Sequence, residues 1–295
     1  MSVEWERADT AMTTLETSTD KFLDGIPYGI AVGNHDNGAH AHDDKPFSTS
    51  MFNKYFGVAR FKDRAYYGGH YGQKNDNSYL VVRAGNLDVV MVNLEYRGAL
   101  GQDPEVLAWA KGVFEAHPDA LGIVNSHHIV KANGDFSGEG KQIYNAVKSA
   151  ANVQLMTSGH IKEIRARRTD EFMGRKIHSM LADYQDLIVK ADDCAGGCGY
   201  MRIWRFSPKQ NQLKVETYSP SLKKSMTGPQ EQFTLTVDLS AATGVFTSVG
   251  ATSGPGAALS LAVDGLKPGA AYEWYAVVKE CGAKVTTPTR AFTVQ

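Results

Sequence analysis

Several things that would have narrowed the function at once are scarce in this sequence. Three cysteines in 295 residues are too few for a disulfide-built scaffold or a cysteine-ligated zinc module. No apolar run approaches the ~20 residues that a membrane-spanning helix needs. An excess of one charge is also missing: 31 Lys and Arg face 32 Asp and Glu, for a net charge of -1. That balance argues against broad binding to nucleic acid or an anionic membrane, so neither surface is expected. Residues 2–7 are polar and charged with no apolar stretch behind them, so no secretory signal is read on this chain.

What is present is apolar material, 42% of residues with 10% aromatic. This is enough for one large domain, or a medium domain and a small one. Residues 3–23 place Trp5, Ala8, Met12, Leu15 and Phe22 near helical spacing, ending at Gly25. Residues 26–32 then read as a buried strand, followed by a long loop to about Gly72. Strands are expected at 78–83, 87–94, 121–124, 153–156, 176–181, 201–206 and 212–217. Helices are expected from Asp103-Pro104 to about His117, and over 139–151. Strands separated by helices predict an α/β domain over 1–220. A polar linker, 221–231, leads to a Val-, Thr-, Ser- and Gly-rich stretch with period-two patterning, so 232–295 is read as a small all-β domain.

The chemistry gathers where strands end, which is where open α/β sheets bind ligands. The 26–32 segment runs into Asn34, His35 and Asp36. The 121–124 strand runs into Asn125, Ser126, His127 and His128, and the 153–156 strand into Ser158, Gly159 and His160. Amide oxygen and imidazole together suit a borderline divalent metal such as zinc, iron or manganese. Cys194 and Cys198, four apart in a Gly-rich loop, are expected as a local disulfide or a pair of free thiols.

Gly33-Asn34-His35-Asp36 resembles the third signature of calcineurin-like metallophosphoesterases. Asn-Ser-His-His at 125–128 resembles the fourth, and Ser158-Gly159-His160 the start of the fifth. Asn77-Ser78-Tyr79, Leu94-Glu95-Tyr96, Asp183-Tyr184-Gln185, the 196–202 Gly-rich run and Thr217-Tyr218-Ser219-Pro220 resemble a bacterial secreted branch, often fused to fibronectin type III or immunoglobulin-like domains. With Tyr272-Glu273-Trp274-Tyr275, the likeness covers nearly the whole chain.

The resemblance implies an α/β fold of metallophosphoesterase type, a β-sandwich flanked by helices and incomplete at its N-terminus, with a small β-sandwich appended. It implies a secreted or cell-surface enzyme that hydrolyses a phosphoester with a metal-activated water, using two divalent ions in the complete site. Asn34, His127 and His160 would hold the second ion, with His128 the alternative to His127, because an extended strand can aim only one of two neighbours inward. His35, held by Asp36, would act on the leaving-group oxygen as general acid or hydrogen-bond donor. Tyr79, His128 and Arg165 are further candidates for the substrate side. Arg165 and Arg167 share a strand face and would meet either solvent or an anion.

Two departures qualify the resemblance. The family's first motifs, Asp-x-His and Gly-Asp, are not found before Gly33, as though about a third of the catalytic domain were absent. Its last His is Lys162, and an ammonium cannot ligate a metal. Asp43, Asp44 and Asp186 are the nearby acids that could stand in. The missing strands would bare an edge at 26–32 for pairing with a second copy. The rival reading is a non-catalytic binding or surface protein on a degenerate phosphoesterase scaffold.

Overall fold

The computed structural model describes residues 2–19, 22, 25–37, 48–240, 249–254, 260–269, 271–274, 276–280, 283–287 and 290–294. The chain divides into two compact units, Met1–Thr243 and Gly244–Gln295. The first is α/β. Its main sheet has seven strands: β1 (Tyr67–His70), β2 (Ser78–Ala84), β3 (Leu87–Leu94), β4 (Leu121–Ser126), β5 (Val153–Ser158), β6 (Arg165–Phe172) and β7 (Arg175–Ala182). They lie in the order β1-β2-β3-β4-β5-β7-β6. The four central strands β3, β4, β5 and β7 are mutually parallel, so their carboxyl ends share one edge.

Alternation along β3 decides what covers the sheet. Val90, Val92 and Leu94 are buried with Ala110, Phe114, Ile143 and Val147 of helices α4 (Pro104–Ala116) and α5 (Gly138–Val147). Leu87 and Val89 point the other way, onto Leu213, Val215 and Leu235 of a second sheet. That sheet pairs β9 (Gln212–Ser219) with β8 (Met201–Ser207) on one side, and with β10 (Lys224–Met226) and β11 (Phe233–Thr236) on the other. The order of layers is therefore helices, seven-stranded sheet, four-stranded sheet. Asp103 caps α4 by accepting from Glu105 N, and Ser137 caps α5 by accepting from Gly140 N at 2.8 Å.

Four expectations are corrected. Residues 26–32 enter no strand ladder, so the expected sheet edge is not formed there. Val32, with Tyr28 and Ile30 beside it, instead joins an aromatic cluster with Trp5, Phe52, Phe56, Phe61 and Tyr66. Helix α1 stops at Leu15, short of Phe22. The chain folds back so closely that a Cβ on Gly25, at φ +75°, would stand 2.5 Å from Leu15 O.

The loop expected to reach Gly72 contains helices α2 (Ser50–Phe56) and α3 (Val58–Phe61), and then β1. The linker and domain boundary also move. β10 and β11 both pair with β9, and Val237 and Leu239 are buried with Leu235, so the first unit extends beyond 231 and the composition changes before the contacts do. Asp43, Asp44, Tyr275 and Cys281 lie outside the described residues.

Among its described residues the second unit has two antiparallel ladders, β12 (Ala271–Trp274) with β15 (Arg290–Thr293) and β13 (Val277–Glu280) with β14 (Ala283–Thr286). Among the described residues, no helix is long and apolar enough to cross a membrane.

Candidate metal centre

At the shared edge, β4 ends at Ser126 and the next two residues leave strand geometry. His127 O accepts from Gly159 N at 3.1 Å, which ties this strand end to the end of β5. The Gly33–Asp36 turn arrives from the other side. It is closed by Asp36 N donating to Gly33 O at 3.1 Å and Gly33 N donating to Asp36 Oδ2 at 2.7 Å. A Cβ on Gly33 would stand 3.1 Å from the His127 ring, so glycine lets the turn and the imidazole meet.

Three side chains converge there. His127 Nε2 lies 2.7 Å from Asn34 Oδ1 and 2.9 Å from His160 Nδ1. His160 sits at φ 76°, a left-handed conformation that costs a non-glycine residue on the order of 1 kcal/mol and that clusters at functional sites. Burial, then the neighbouring imidazoles, pushes His127 down to about 4. His128 is held near 4 by burial, then by His160 and Lys131, and His160 is lowered chiefly by burial. At neutral pH these rings are uncharged and can offer lone pairs.

His128 also belongs to the cluster. Its ring centroid is 4.5 Å from that of His160, and its Nε2 is buried without a hydrogen-bond partner among the described residues. Past the end of the strand the two adjacent histidines play different parts: His127 Nε2 meets Asn34 and His160, while His128 meets His160 ring to ring. Tyr96, just beyond β3, was not singled out as a site residue from the sequence. Its ring lies 5.2 Å from His127 and 5.4 Å from His160, edge-on to the first. Tyr96 N donates to Val32 O at 2.9 Å, and its carbonyl accepts from Asn37 Nδ2 at 3.3 Å. The signal that could have found it is positional, since it follows a central parallel strand.

Behind Tyr96 lies a buried carboxyl pair. Glu139 Oε1 accepts from Gln102 Nε2 and from Arg97 N, while its Oε2 has no partner among the described residues. Burial, with Glu95 adding, raises Glu139 to about 7 against the hydrogen bonds that lower it. Glu95, bonded to Asn77 at 3.3 Å, is raised by burial and then by Asp76.

The remaining candidates are placed as follows. His35 is exposed beside the cluster, near enough to contribute to the lowering of both His127 and His160. Asp36, raised chiefly by burial, accepts from the turn amide of Gly33. Tyr79 packs on Trp109 and His117, away from the convergent cluster. Arg165, only partly exposed, pairs with Glu231 at 2.5 Å, while Arg167 donates to Pro229 O and Gln230. Lys162 pairs with Asp186 at 2.8 Å, which occupies that acid. Cys194 and Cys198 are disulfide-bonded, with Cα atoms 5.6 Å apart.

Donors about 2.1 Å from a common ion stand about 3 Å apart when they subtend a right angle. The two spacings around His127 Nε2 fall close to that value. Among the described residues, no group of three or more His, Cys, Asp or Glu is disposed to hold a metal ion. The convergent set is one amide oxygen with the ring nitrogens of His127 and His160.

No family model matches the chain. It is similar to the uncharacterized protein YvnB of Bacillus subtilis (strain 168), 33% identical over 250 residues that make up 80% of this chain. Those residues are 18% of that protein, so the chain spans under a fifth of the length of the relative it matches.

Proposed function

We propose that the chain carries the second-ion half of a calcineurin-like metallophosphoesterase site, and that the fold is of that type with a fibronectin- or immunoglobulin-like appendage. The observation that carries the reading is the convergence of Asn34 Oδ1 and His160 Nδ1 on His127 Nε2, at 2.7 and 2.9 Å. A manganese, iron or zinc ion fits three neutral donors of this kind. The chemistry supplied by a divalent ion at this point is water activation and neutralisation of phosphoryl charge.

The chain's own residues would do the rest. Tyr96 and Gly33 hold the His127 ring by contact, and the tie from Gly159 N to His127 O sets its height against His160. His35, exposed in the turn beside Asn34, would donate to the oxygen of the departing group of a phosphoester. Asp36 fixes the turn that presents it. The Cys194–Cys198 bond supports a secreted or cell-surface setting, since disulfides persist in oxidising compartments.

The test is elemental mass spectrometry of the purified chain after incubation with manganese, iron or zinc and desalting, alongside hydrolysis of p-nitrophenyl phosphate and its diester. One ion per chain that is lost in His127→Ala and His160→Ala supports the reading. A folded chain that retains no ion sinks it. One ion without hydrolysis favours the rival reading of a non-catalytic protein on this scaffold. That rival is motivated by Lys162, which stands paired with Asp186 where the family has a ligand.

A further inference from the structure

Two arginines carry charge to the layer between the sheets and meet no acid there. On β6, Ala166 is buried on the helix side, so Arg165 and Arg167 turn to the four-stranded sheet. Arg202 of β8 turns back toward them, on the same side as Trp204 and Phe206, which pack between the sheets. The Cζ of Arg167 lies 4.2 Å from the centroid of the Phe233 ring, and that of Arg202 lies 5.5 Å from the same centroid. Both also hold Gln230. Arg167 Nη1 donates to its Oε1 at 2.8 Å, and Arg202 Nη2 to its carbonyl oxygen at 2.8 Å. Arg167 Nη1 donates to Pro229 O as well, at 2.5 Å.

All three acceptors are neutral. The neighbouring carboxylate, Glu231, is already taken: Arg165 pairs with its Oε1 at 2.5 Å, and the hydroxyls of Tyr184 and Thr217 donate to its Oε2 at 3.2 and 3.0 Å. Glu216 stands opposite Ile203, on the outer face, and pairs with Arg205 and Lys214. Among the described residues neither Arg167 nor Arg202 ion-pairs with an acid, and Arg202 Nε is buried without a hydrogen-bond partner. Burial, then the charge of Arg202, lowers Arg167, so the two are held together against their own repulsion.

Half-buried like charges with no counter-ion are costly, and an anion between them removes the cost. Guanidinium forks match phosphoryl oxygens with paired N–H donors, and stacking on an aromatic ring fixes their planes. Two such charges suit a phosphate, which is close to a dianion at neutral pH. We propose that Arg167 and Arg202, backed by the Phe233 ring, form a binding site for inorganic phosphate or the phosphoryl group of a larger molecule. The inference does not depend on the metal reading above.

The test uses the metal-free chain at low ionic strength, with inorganic phosphate, phenyl phosphate and acetate as probes read by calorimetry. Wild type should bind phosphate, and acetate at least about ten-fold more weakly, because a single charge makes fewer charge-assisted bonds. Arg167→Gln and Arg202→Gln should each weaken phosphate at least about ten-fold, and Arg205→Gln, on the outer face, by less than about two-fold. Arg167→Lys should recover little, because an ammonium lacks the fork. His127→Ala should leave phosphate binding unchanged, which separates this site from the histidine cluster. Inorganic phosphate bound as tightly as phenyl phosphate marks the free ion as the ligand, and tighter phenyl phosphate marks a phosphorylated molecule.

A wild-type chain that binds no phosphate overturns the proposal. So does either glutamine variant binding it as tightly as wild type, which would leave the two arginines as pins of the 229–230 backbone. Should the glutamine variants not fold, the guanidinium Nε–H resonances of wild type decide. Shifts of Arg167 and Arg202 on adding phosphate support the site, and unmoved resonances overturn it.

Discussion

Asn34 Oδ1 and His127 Nε2 meet at 2.7 Å across 93 residues of sequence. One belongs to a turn outside every ladder, the other to the end of a strand with partners on both sides. Removing either group should therefore affect binding much more than folding. Asn34→Ala is expected to lower divalent-ion affinity at least about ten-fold, and His127→Ala to abolish stoichiometric binding, with small changes in melting temperature. Calorimetric titration and thermal unfolding on the same samples check this. A His127→Ala chain that binds like wild type would remove the imidazole from the site.

Glu139 makes stability depend on pH with a definite sign. Its carboxyl rises from an ordinary 4.5 to about 7 in the fold, so the folded chain holds the proton more tightly than the unfolded one. The resulting stabilisation is fully present below 4.5 and is lost as pH rises to about 7, a change on the order of 3 kcal/mol. His127 and His128, held near 4, act oppositely: they favour the fold above 6.5, and that contribution is lost as pH falls toward 4. The difference between wild type and Glu139→Gln isolates the carboxyl. Urea unfolding should find Glu139→Gln more stable at pH 8 by about 1–3 kcal/mol and the gap nearly closed by about pH 4. A gap independent of pH would mean that Glu139 is ionised throughout.

Two helical glycines should answer oppositely to alanine. A Cβ on Gly140 would stand 2.1 Å from Ile129 O, a backbone atom two residues after His127. Gly140→Ala should cost roughly 3 kcal/mol, as forced overpacking does. Gly112 in α4 is exposed and has nothing within 4 Å of its Cβ position. Gly112→Ala should gain about 0.5–1 kcal/mol from helix propensity alone. Chemical denaturation of both variants measures the pair.

Arg60 is the polar pin of the N-terminal cluster. Its guanidinium bonds Asp9, Glu16 at 2.7 Å, the Tyr28 hydroxyl at 2.9 Å and Tyr55 O at 3.0 Å. Arg60→Ala would leave Glu16 half of its ion pairing and Tyr28 a lost donor, for about 3 kcal/mol. Arg60→Lys should recover little, because an ammonium cannot reproduce the fork. Hydrogen exchange across Ser2–Leu15, faster in both variants, reads the release of α1.

The central strands were legible because their apolar runs are bounded by turn and capping residues. β3 falls on the 87–94 stretch read from the sequence, and α4 starts at the Asp-Pro that signals it. Residues 26–32 look like a strand in sequence, but apolar alternation says only that a segment is buried on one side, and here the partner is a cluster of aromatic rings. Phe52, Phe56 and Phe61 were hidden among Asn and Gly, where no long period builds up. Of the cluster, His127 and His160 were readable as motif residues after strand ends, and Asn34 from its motif alone, since no strand precedes it. Tyr96 is a single residue whose nearness to the histidines depends on strand order, which sequence spacing does not carry.

The segment 26–37 stands outside the ladders, and Tyr96 N to Val32 O with Asn37 Nδ2 to Tyr96 O fasten its end. His127 and His160 follow interior strands and cannot depart without unzipping β4 or β5. Parting Asn34 from them asks only for a local opening, well below the free energy of global unfolding. The cluster thus has two fixed jaws and one that can swing. Whatever occupies it should enter and leave on the Asn34 side, at a rate set by that turn and not by the sheet.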